Sequence, residues 1–357
     1  MAARLDALIA GQGLTGSLLA YRMHSLGLEI RIADPGTEGS ASRAAAGILS
    51  PFTGPRYQAP MRLAALLDEA ERTYAELASV TGHRLFRPMP VWRLLQDDGE
   101  RERIARRHAD HPDLIPAQPV PGREAPAGTR APLGAVPMRG GGHVDLGRLL
   151  DGLRGWFRDR GLLIEERLGP GTVALPSGEP ARWHGATAQH VIFCEGAGAF
   201  TNPWWQSLPW RRSRGETLTL RCERPGDLPQ AVVTGGESLV PLGGDRYRLG
   251  ATYERGDEVG GPTAEAREKL LAALPRLLES PPAVRVEAGH AGLRPGSRPG
   301  PPFIGLHPED PRIGIVNGFG SRGTLLAPWY TRRLADHLAS GAPLPREADV
   351  RQRTDLQ

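Results

Sequence analysis

The stretch that decides the fold is residues 5–34, LDALIAGQGLTGSLLAYRMHSLGLEIRIAD. Residues 5–10 are apolar enough to form a short buried strand, and they run directly into the glycine-rich segment 11–16. Apolar residues then recur at spacings of three and four, which predicts a helix with one face packed on a sheet. Residues 29–33 predict a second strand. The order of strand, glycine turn, helix and strand is typical of a parallel α/β unit.

Three glycines in this turn have the spacing that dinucleotide-binding units need. Gly11 allows a tight turn, Gly13 lets the backbone approach a pyrophosphate, and Gly16 lets the helix lie close to the strand. The helix opens at Leu14-Thr15, where free N–H groups and the positive end of the helix dipole would neutralise phosphates. Asp34 follows the second strand and is placed to accept hydrogen bonds from ribose hydroxyls. An ordinary glycine-rich turn is the alternative, but the strands, the helix and the acid favour a dinucleotide site.

The composition indicates which class of protein the chain belongs to. The chain has 357 residues, of which 39% are hydrophobic and 24% charged, and a net charge of +4, as expected for a globular protein of two domains or of one domain with a large insertion. Cys194 and Cys222 are the only cysteines, so we expect a reducing, cytoplasmic location. No run of 18 uncharged apolar residues occurs, so no membrane span is expected. The small positive charge permits an anionic ligand, whereas a nucleic-acid partner is not expected but stays open.

No metal site is predicted. His108, Asp110, His111 and Asp113 lie close together in the sequence, but they fall at a polar helix end without the spacing of metal ligands. A solvated turn explains them better.

Residues 40–47, SASRAAAG, are mostly small and would let the backbone lie against a flat ring system. The contact residues expected there are Ser42, Arg43, Ala45 and Gly47, although Ser42 could also start a helix as its N-cap. At this point the chain resembles the FAD-dependent D-amino-acid oxidase superfamily, the group that contains glycine oxidase and sarcosine oxidase. The resemblance implies that the dinucleotide is FAD.

Two further segments carry the resemblance at the cofactor. Residues 191–198, VIFCEGAG, resemble the family's second backbone approach to the dinucleotide, which implies contacts from Cys194 and Gly196. Glu195 departs from the family's usual Ala-Thr-Gly or Ala-Ala-Gly, and could bind a ribose or cap a loop. Residues 317–328 resemble the family's final motif and lead into a last helix expected over 329–340. The resemblance implies that the N-terminus of this helix faces the flavin, with cofactor contacts from Gly320, Arg322, Gly323, Thr324 and Leu325.

Two arginines are the candidate catalytic residues. The segment 289–296, GHAGLRPG, resembles the family's Gly-(Ile/Leu/Phe)-Arg-Pro signature, which implies that Arg294 binds a substrate carboxylate through two parallel hydrogen bonds. Its alternative role is a structural ion pair. Arg322 resembles an arginine of glycine oxidase and of the oxidase domain of the tRNA wobble-uridine modification enzyme. A helix-end arginine in solvent is the alternative for Arg322.

The resemblance spans nearly the whole chain and implies an α/β fold of two domains. A Rossmann-like FAD-binding domain is expected from residues 1–80, 141–208 and 286–357. A discontinuous α+β substrate domain is expected from 81–140 and 209–285, built on a largely antiparallel sheet with a helix over 264–278.

The implied chemistry is hydride transfer from the carbon beside a neutral amine to flavin N5, which yields an imine that water hydrolyses. The substrate would be a small amine or amino acid, and the electron acceptor oxygen or another oxidant. FAD should be non-covalent, because neither residues 40–47 nor residues 317–328 contain His or Cys.

Two departures from the family's usual sequence leave the identity of the substrate undetermined. The segment 297–302 lacks an aspartate that is common in the family, and Glu237-Ser238-Leu239 stands where tyrosines often line the pocket. Three alternatives remain: an oxidase acting on an aminomethyl group of a modified tRNA uridine, a dehydrogenase with the same motifs, and a non-catalytic FAD-binding partner protein.

Overall fold

The computed structural model of the chain describes residues 4–36, 40–224, 226–256, 260–298 and 300–352. Its strands are β1 Arg4–Ala10, β2 Ile30–Ala33, β3 Ile48–Leu49, β4 Phe86–Pro88, β5 Val91–Leu94, β6 Ala135–Met138, β7 Gly142–Val144, β8 Leu163–Ile164, β9 Ala181–Trp183, β10 Ala186–Phe193, β11 Trp210–Cys222, β12 Val232–Gly235, β13 Glu237–Gly243, β14 Arg246–Gly250, β15 Glu254–Arg255, β16 Val284–Ser297, β17 Phe303–Leu306 and β18 Ile313–Asn317. Its helices are α1 Leu14–Ser25, α2 Ala41–Ala44, α3 Leu63–Thr81, α4 Glu100–Asp110, α5 Leu146–Asp159, α6 Ala264–Leu271, α7 Leu274–Leu277 and α8 Gly323–Ser340.

The first sheet has the strand order β17-β18-β10-β1-β2-β8, with β9 paired to β10. β1 runs parallel to both of its neighbours, β10 and β2. Alternate residues of β1 enter different cores, because Ile9 packs with α1 and α8 whereas Leu8 packs on the other face of the sheet. This is the predicted unit of strand, glycine turn, helix and strand, and it confirms the Rossmann-like fold.

The second sheet is largely antiparallel, as expected. Its order is β15-β11-β14-β13-β12-β5-β6, and β16 pairs with β11. The pairing of β12 with β5 is parallel, whereas the other pairings in this sheet are antiparallel. A third, small sheet of β3, β7 and β4 lies apart from both.

The segments expected for one domain mostly supply strands to one sheet, and those expected for the other domain mostly supply strands to the other sheet. The segments 1–80, 141–208 and 286–357 supply the strands of the first sheet, and the segments 81–140 and 209–285 supply most strands of the second. β16 begins at Val284 and crosses the expected boundary at 286, and it pairs with β11 from Val284 to Ser297.

The pairing of β11 with β16 contains an irregularity. Thr219 opposes Ala288 and Leu220 opposes Val286, so Glu287 is an extra residue on β16, which makes a β-bulge. The carboxylate of Glu287 accepts hydrogen bonds from Nε of Arg221 at 2.6 Å and from Nε of Arg246 at 2.7 Å. These arginines belong to β11 and β14, so the bulge is held from two strands.

Two helices differ from the sequence-based expectation. The helix expected over 264–278 is divided into α6 and α7, because Pro275 stands in the first turn of α7 and has no N–H to continue the preceding helix. The last helix was expected over 329–340, but α8 begins at Gly323 and includes Pro328. The missing N–H of Pro328 leaves the carbonyl of Thr324 without its helical donor. The hydroxyl of Tyr74, on α3, donates to that carbonyl at 2.7 Å.

Across the residues given above, no helix combines the length and the apolar composition that crossing a membrane requires. In the same ranges, no group of three or more His, Cys, Asp or Glu side chains is arranged to hold a metal ion.

Candidate functional site

A cavity of about 1190 Å³ lies between the two main sheets. The carboxyl ends of β1 and β10 open onto it, which is where ligands bind in open α/β sheets. Most of the predicted site residues line it: Gly11, Gly13, Leu14, Thr15, Asp34, Ser42, Ala45, Gly47, Cys194, Gly196, Arg294, Gly320, Arg322, Gly323, Thr324 and Leu325. Two predicted residues, Gly16 and Arg43, lie outside its lining.

The three glycines of the turn have different surroundings. Gly11 has φ +98°, and a Cβ there would lie 2.8 Å from the carbonyl oxygen of Cys194. A Cβ on Gly16 would overlap the carbonyl oxygen of Gly11 at 1.8 Å. At Gly13, by contrast, the nearest atom to an added Cβ is Oγ of Ser42 at 3.4 Å. Gly11 and Gly16 are therefore needed by the chain itself, whereas Gly13 borders open space.

This space fits the pyrophosphate of a dinucleotide. Gly13 is the N-cap residue of α1 and has no side chain with which to cap it. Gly13, Leu14 and Thr15 all line the cavity, so the N-terminus of a 12-residue helix is directed at it. A side chain at position 13 would fill the cradle.

Asp34 is held in place by three hydrogen bonds. Its Oδ2 accepts from the backbone N–H of Gln12 at 2.8 Å. Its Oδ1 accepts from the backbone N–H of Gly36 at 2.7 Å and from Nη1 of Arg154 at 3.0 Å. Arg154 belongs to α5 and also donates to the side chain of Gln12. The carboxylate expected at the ribose is therefore fixed in orientation before any ligand binds.

The small-residue segment forms the short helix α2. Its N-cap is Ser40, whose Oγ accepts from the N–H of Arg43 at 3.4 Å, so the alternative role of Ser42 as the cap is wrong. Ser42 lies inside the helix, and its Oγ accepts from the N–H of Leu14 at 3.1 Å. The guanidinium of Arg43 points away from the cavity to Asp151, at 2.7 Å. Ala45, like the other small residues after α2, lines the cavity.

The second expected approach to the cofactor follows β10. Cys194 is buried, and burial raises the pKa of its thiol, so it is a packing residue. The carbonyl of Gly196 accepts from the side chain of Asn317 at 2.8 Å. Glu195 lines the cavity and accepts from the side chain of Asn202 at 2.9 Å. Burial raises the pKa of Glu195, against the effect of the Asn202 hydrogen bond.

Arg294 lies near the end of β16, half-buried in the cavity wall. Its Nη1 donates to the carbonyl of Thr252 at 3.3 Å, and its guanidinium carbon lies 6.0 Å from the centre of the Tyr253 ring. The guanidinium covers Gly215, where an added Cβ would lie 1.9 Å from Nη2. Burial lowers the pKa of Arg294. Among the residues that the structure describes, no carboxylate pairs with it, so it is suited to an anionic ligand.

Arg322, the other candidate, is the N-cap residue of α8. It is half-buried and lines the cavity, and burial lowers the pKa of its guanidinium. Both arginines contribute positive charge to the cavity wall.

Sequence reasoning missed a buried polar cluster in the cavity wall, formed by Tyr57, Arg93 and Glu100. The Glu100 side chain is 0% exposed and accepts from Nε of Arg93 at 2.8 Å and from the Tyr57 hydroxyl at 2.7 Å. Burial acts to raise the pKa of Glu100, but the hydrogen bonds from Arg93 and Tyr57 outweigh it and lower the pKa. No motif could have indicated this cluster, because its members come from a loop, a strand and a helix.

The comparisons with known proteins agree with this geometry. The model of the family described as FAD dependent oxidoreductase (DAO) matches residues 6–337. A glycine oxidase of Pseudomonas aeruginosa is 28% identical over 94% of this chain and 95% of that protein. The tRNA 5-methylaminomethyl-2-thiouridine biosynthesis bifunctional protein of Maricaulis maris is 30% identical over 94% of this chain but only 52% of that protein.

The crystal structure of glycine oxidase from Geobacillus kaustophilus superposes with a TM-score of 0.81, at 23% identity, over 96% of both chains. This likeness establishes the fold. The family match covers most of the chain, and it identifies the cofactor as FAD and the protein as an enzyme rather than a non-catalytic partner. The chain therefore belongs to the DAO family of FAD-dependent oxidoreductases.

Proposed function

We propose that the enzyme oxidises the C–N bond of a small amino acid or other amine that carries a carboxylate. The observation that carries this proposal is Arg294, a half-buried cation in the cavity wall without a carboxylate partner among the described residues. Glycine oxidase, the activity named for its relatives, has a substrate of this class.

The residues that would hold FAD follow from the cavity. Gly13 and the N-terminus of α1 would bind the pyrophosphate, Asp34 a ribose, and the segment 45–47 the flavin ring. The N-terminus of α8, with Arg322 and Gly323, would stabilise negative charge on the ring. When bound, FAD supplies the hydride acceptor for the carbon beside the nitrogen. No cysteine other than the buried Cys194 and no histidine is found among the described lining residues, which supports a non-covalent cofactor.

Arg294 would act by positioning the substrate. A guanidinium can bind a carboxylate through two parallel hydrogen bonds, which fixes both the position and the plane of the carboxylate. A substrate held at this end keeps one orientation in the cavity, and orientation is what hydride transfer requires. The guanidinium contacts the backbone carbonyl of Thr252 and lies near the ring of Tyr253.

The test begins with anaerobic mixing of the FAD-loaded enzyme with a panel of amines and amino acids, while the bleaching of the flavin is recorded. The flavin spectrum is then titrated with small carboxylates in the wild type, Arg294→Ala and Arg294→Lys. We expect Arg294→Ala to lose about 2 to 5 kcal/mol of carboxylate binding. Lysine should restore only part of it, because a point charge cannot replace the planar fork.

Arg211→Ala is the matched control. The Arg211 guanidinium also lies near the Tyr253 ring, at 5.7 Å, but Arg211 is exposed and outside the cavity lining. It should leave carboxylate affinity unchanged. Equal affinity in the wild type and both Arg294 variants would remove Arg294 as the anchor and move that role to Arg322.

A second candidate is oxidation of an aminomethyl group on a modified tRNA uridine. The 30% identity with the bifunctional tRNA protein favours it, and the net charge of +4 is compatible with it. This function requires RNA affinity that falls steeply with salt, together with flavin bleaching by the modified RNA. The proposed function predicts bleaching by small amino acids and no RNA binding.

A further inference from the structure

One row of residues crosses five strands of the second sheet in register. Thr217 opposes Gly250, Gly250 opposes Ser238, Ser238 opposes Thr234, and Thr234 lies beside Arg93. Residues directly opposite each other in neighbouring strands project from the same face of a sheet. All five line the cavity, and we call them the polar row.

The polar row is much longer than a small amino acid. Neighbouring strands lie about 4.8 Å apart, so the four steps from Thr217 to Arg93 span roughly 19 Å. Standard bond lengths make glycine only about 4 Å long. A substrate of that size would leave most of the row uncovered.

The chemistry of the row differs from that of the opposite face of the sheet. On that face Leu218, Val233 and Leu239 pack in a hydrophobic core. In the row, the half-buried hydroxyl of Ser238 has no hydrogen-bond partner within the described part of the chain. The hydroxyl of Thr234 makes one long contact, of 3.4 Å, with the carbonyl of Trp92. Ser238 and Thr234, in the middle of the row, therefore keep unused hydrogen-bonding capacity on this floor of the cavity.

The far end of the row offers polarity without net charge. Arg93 belongs to the cluster with Tyr57 and Glu100, in which the two opposite charges pair at 2.8 Å. Their side chains are 13% and 0% exposed, so neither charge is free to bind a charged group. An uncharged group with hydrogen-bond donors and acceptors suits this end.

The near end of the row lies at the site proposed above. The hydroxyl of Thr217 donates to the carbonyl of Ala44, in the small-residue segment, at 2.9 Å. Gly215, two residues earlier on β11, lies directly beneath the guanidinium of Arg294. A ligand anchored at Arg294 thus begins where the polar row begins.

We propose that the substrate is an amino acid or related amine with an uncharged polar arm that lies along the polar row, rather than glycine itself. This rests on the proposed function, because the arm is placed relative to a carboxylate at Arg294. The arm would extend from the nitrogen or from the α-carbon toward Ser238 and Thr234.

The test is a spectral titration of the FAD-loaded enzyme with three acids that lack an amino group and so cannot react. Acetate has no arm, hexanoate has an apolar arm, and glutaramate has an arm of equal length that ends in an amide. We expect glutaramate to bind about tenfold more tightly than acetate, the effect of one or two hydrogen bonds. We also expect it to bind more tightly than hexanoate.

Two variants of Ser238 form a matched pair. Ser238→Leu fills the row and should abolish the preference for glutaramate over acetate. Ser238→Ala keeps the space and removes only the hydroxyl, so part of the preference should remain. Flavin content is measured in each variant, so that a change in acid binding is not confused with loss of the cofactor.

The outcomes separate this inference from the proposed function. Equal affinities for acetate and glutaramate, or an unchanged preference in Ser238→Leu, would overturn the polar arm while leaving the carboxylate anchor in place. Butyramide, which keeps the amide arm without the acid, is the fourth probe. If it binds and the acids do not, the anchor fails and the row is supported. If none of the four binds, both ideas fail.

Discussion

At the scale of single residues, two glycines of one motif serve different purposes. An added Cβ at Gly16 would overlap the carbonyl oxygen of Gly11, at 1.8 Å, so this position is restricted by the fold. An added Cβ at Gly13 would meet Oγ of Ser42 at 3.4 Å, an ordinary contact. The backbone at Gly13 is extended, with φ −74° and ψ −170°, a conformation that branched residues also adopt.

Gly13→Val should therefore fold normally and fail to bind FAD, because its side chain would occupy the space of the pyrophosphate. Gly16→Val should instead lower the free energy of unfolding of the FAD-free protein. Urea denaturation of the apoproteins and FAD titration of each variant separate the two effects. Normal flavin content in Gly13→Val would show that the cofactor lies elsewhere.

Residues were predictable where a local pattern requires them. Gly11, Gly13, Asp34 and Arg294 belong to short motifs, and all of them line the cavity. Arg154 could not be predicted, because it reaches Asp34 from 120 positions away along the chain. The pairing of Tyr57 with Glu100 is hidden for the same reason, since 43 positions separate the two residues.

At the scale of elements, α8 continues through a proline because another helix supplies the missing donor. The carbonyl of Thr324 is released by Pro328 and accepts from the Tyr74 hydroxyl of α3. The Tyr74 side chain is fully buried, so water cannot replace this bond. The first turns of α8 carry part of the candidate cofactor site. Without the hydrogen bond from Tyr74, these turns would contain an unsatisfied carbonyl.

Tyr74→Phe should therefore destabilise the protein by about 1 to 3 kcal/mol, the cost of leaving a buried carbonyl unpaired. Tyr21→Phe is the matched control, because the Tyr21 hydroxyl bonds to Glu76 at an exposed position. It should change stability by less than about 0.5 kcal/mol. Chemical denaturation of both variants measures the difference, and equal effects would contradict the role assigned to Tyr74.

The pattern of elements was predictable where the hydrophobic periodicity is local. The unit β1-α1-β2 follows from such periodicity, whereas the start of α8 does not. A proline normally marks the first turn of a helix, and the Tyr74 hydroxyl that satisfies the carbonyl of Thr324 comes from a distant part of the chain. The lengths of β11 and β16 were also hidden, because each is set by pairing with a distant strand.

At the scale of the whole molecule, the cavity joins segments that are distant in the chain. Its lining includes residues from the first sheet, from the second sheet and from the loops between them. A cofactor bound in the cavity contacts all of these segments at once. Without the cofactor, they are held together by protein packing alone. Binding should therefore stabilise the folded protein as a whole.

The melting temperature should rise with FAD concentration, and a concentration one hundred times the dissociation constant should add about 2.7 kcal/mol. Differential scanning fluorimetry of the FAD-free protein measures the shift, with Gly13→Val as the control that should show none. Denaturation of the loaded protein should release FAD into the supernatant. Flavin that stays with the precipitated chain would contradict a non-covalent cofactor.

The extra residue in β16 shifts the alternation of side chains by one position. Residues after it therefore project from the opposite face to residues of the same parity before it. Before Glu287, the even-numbered Val284 and Val286 oppose Cys222 and Leu220 and pack on the hydrophobic core. After it, even-numbered residues face the other way, and Arg294 reaches the cavity. Without the insertion, the same alternation would turn Arg294 toward the core. One inserted residue, seven positions before Arg294 and outside the cavity lining, thus sets the face of the sheet from which Arg294 projects.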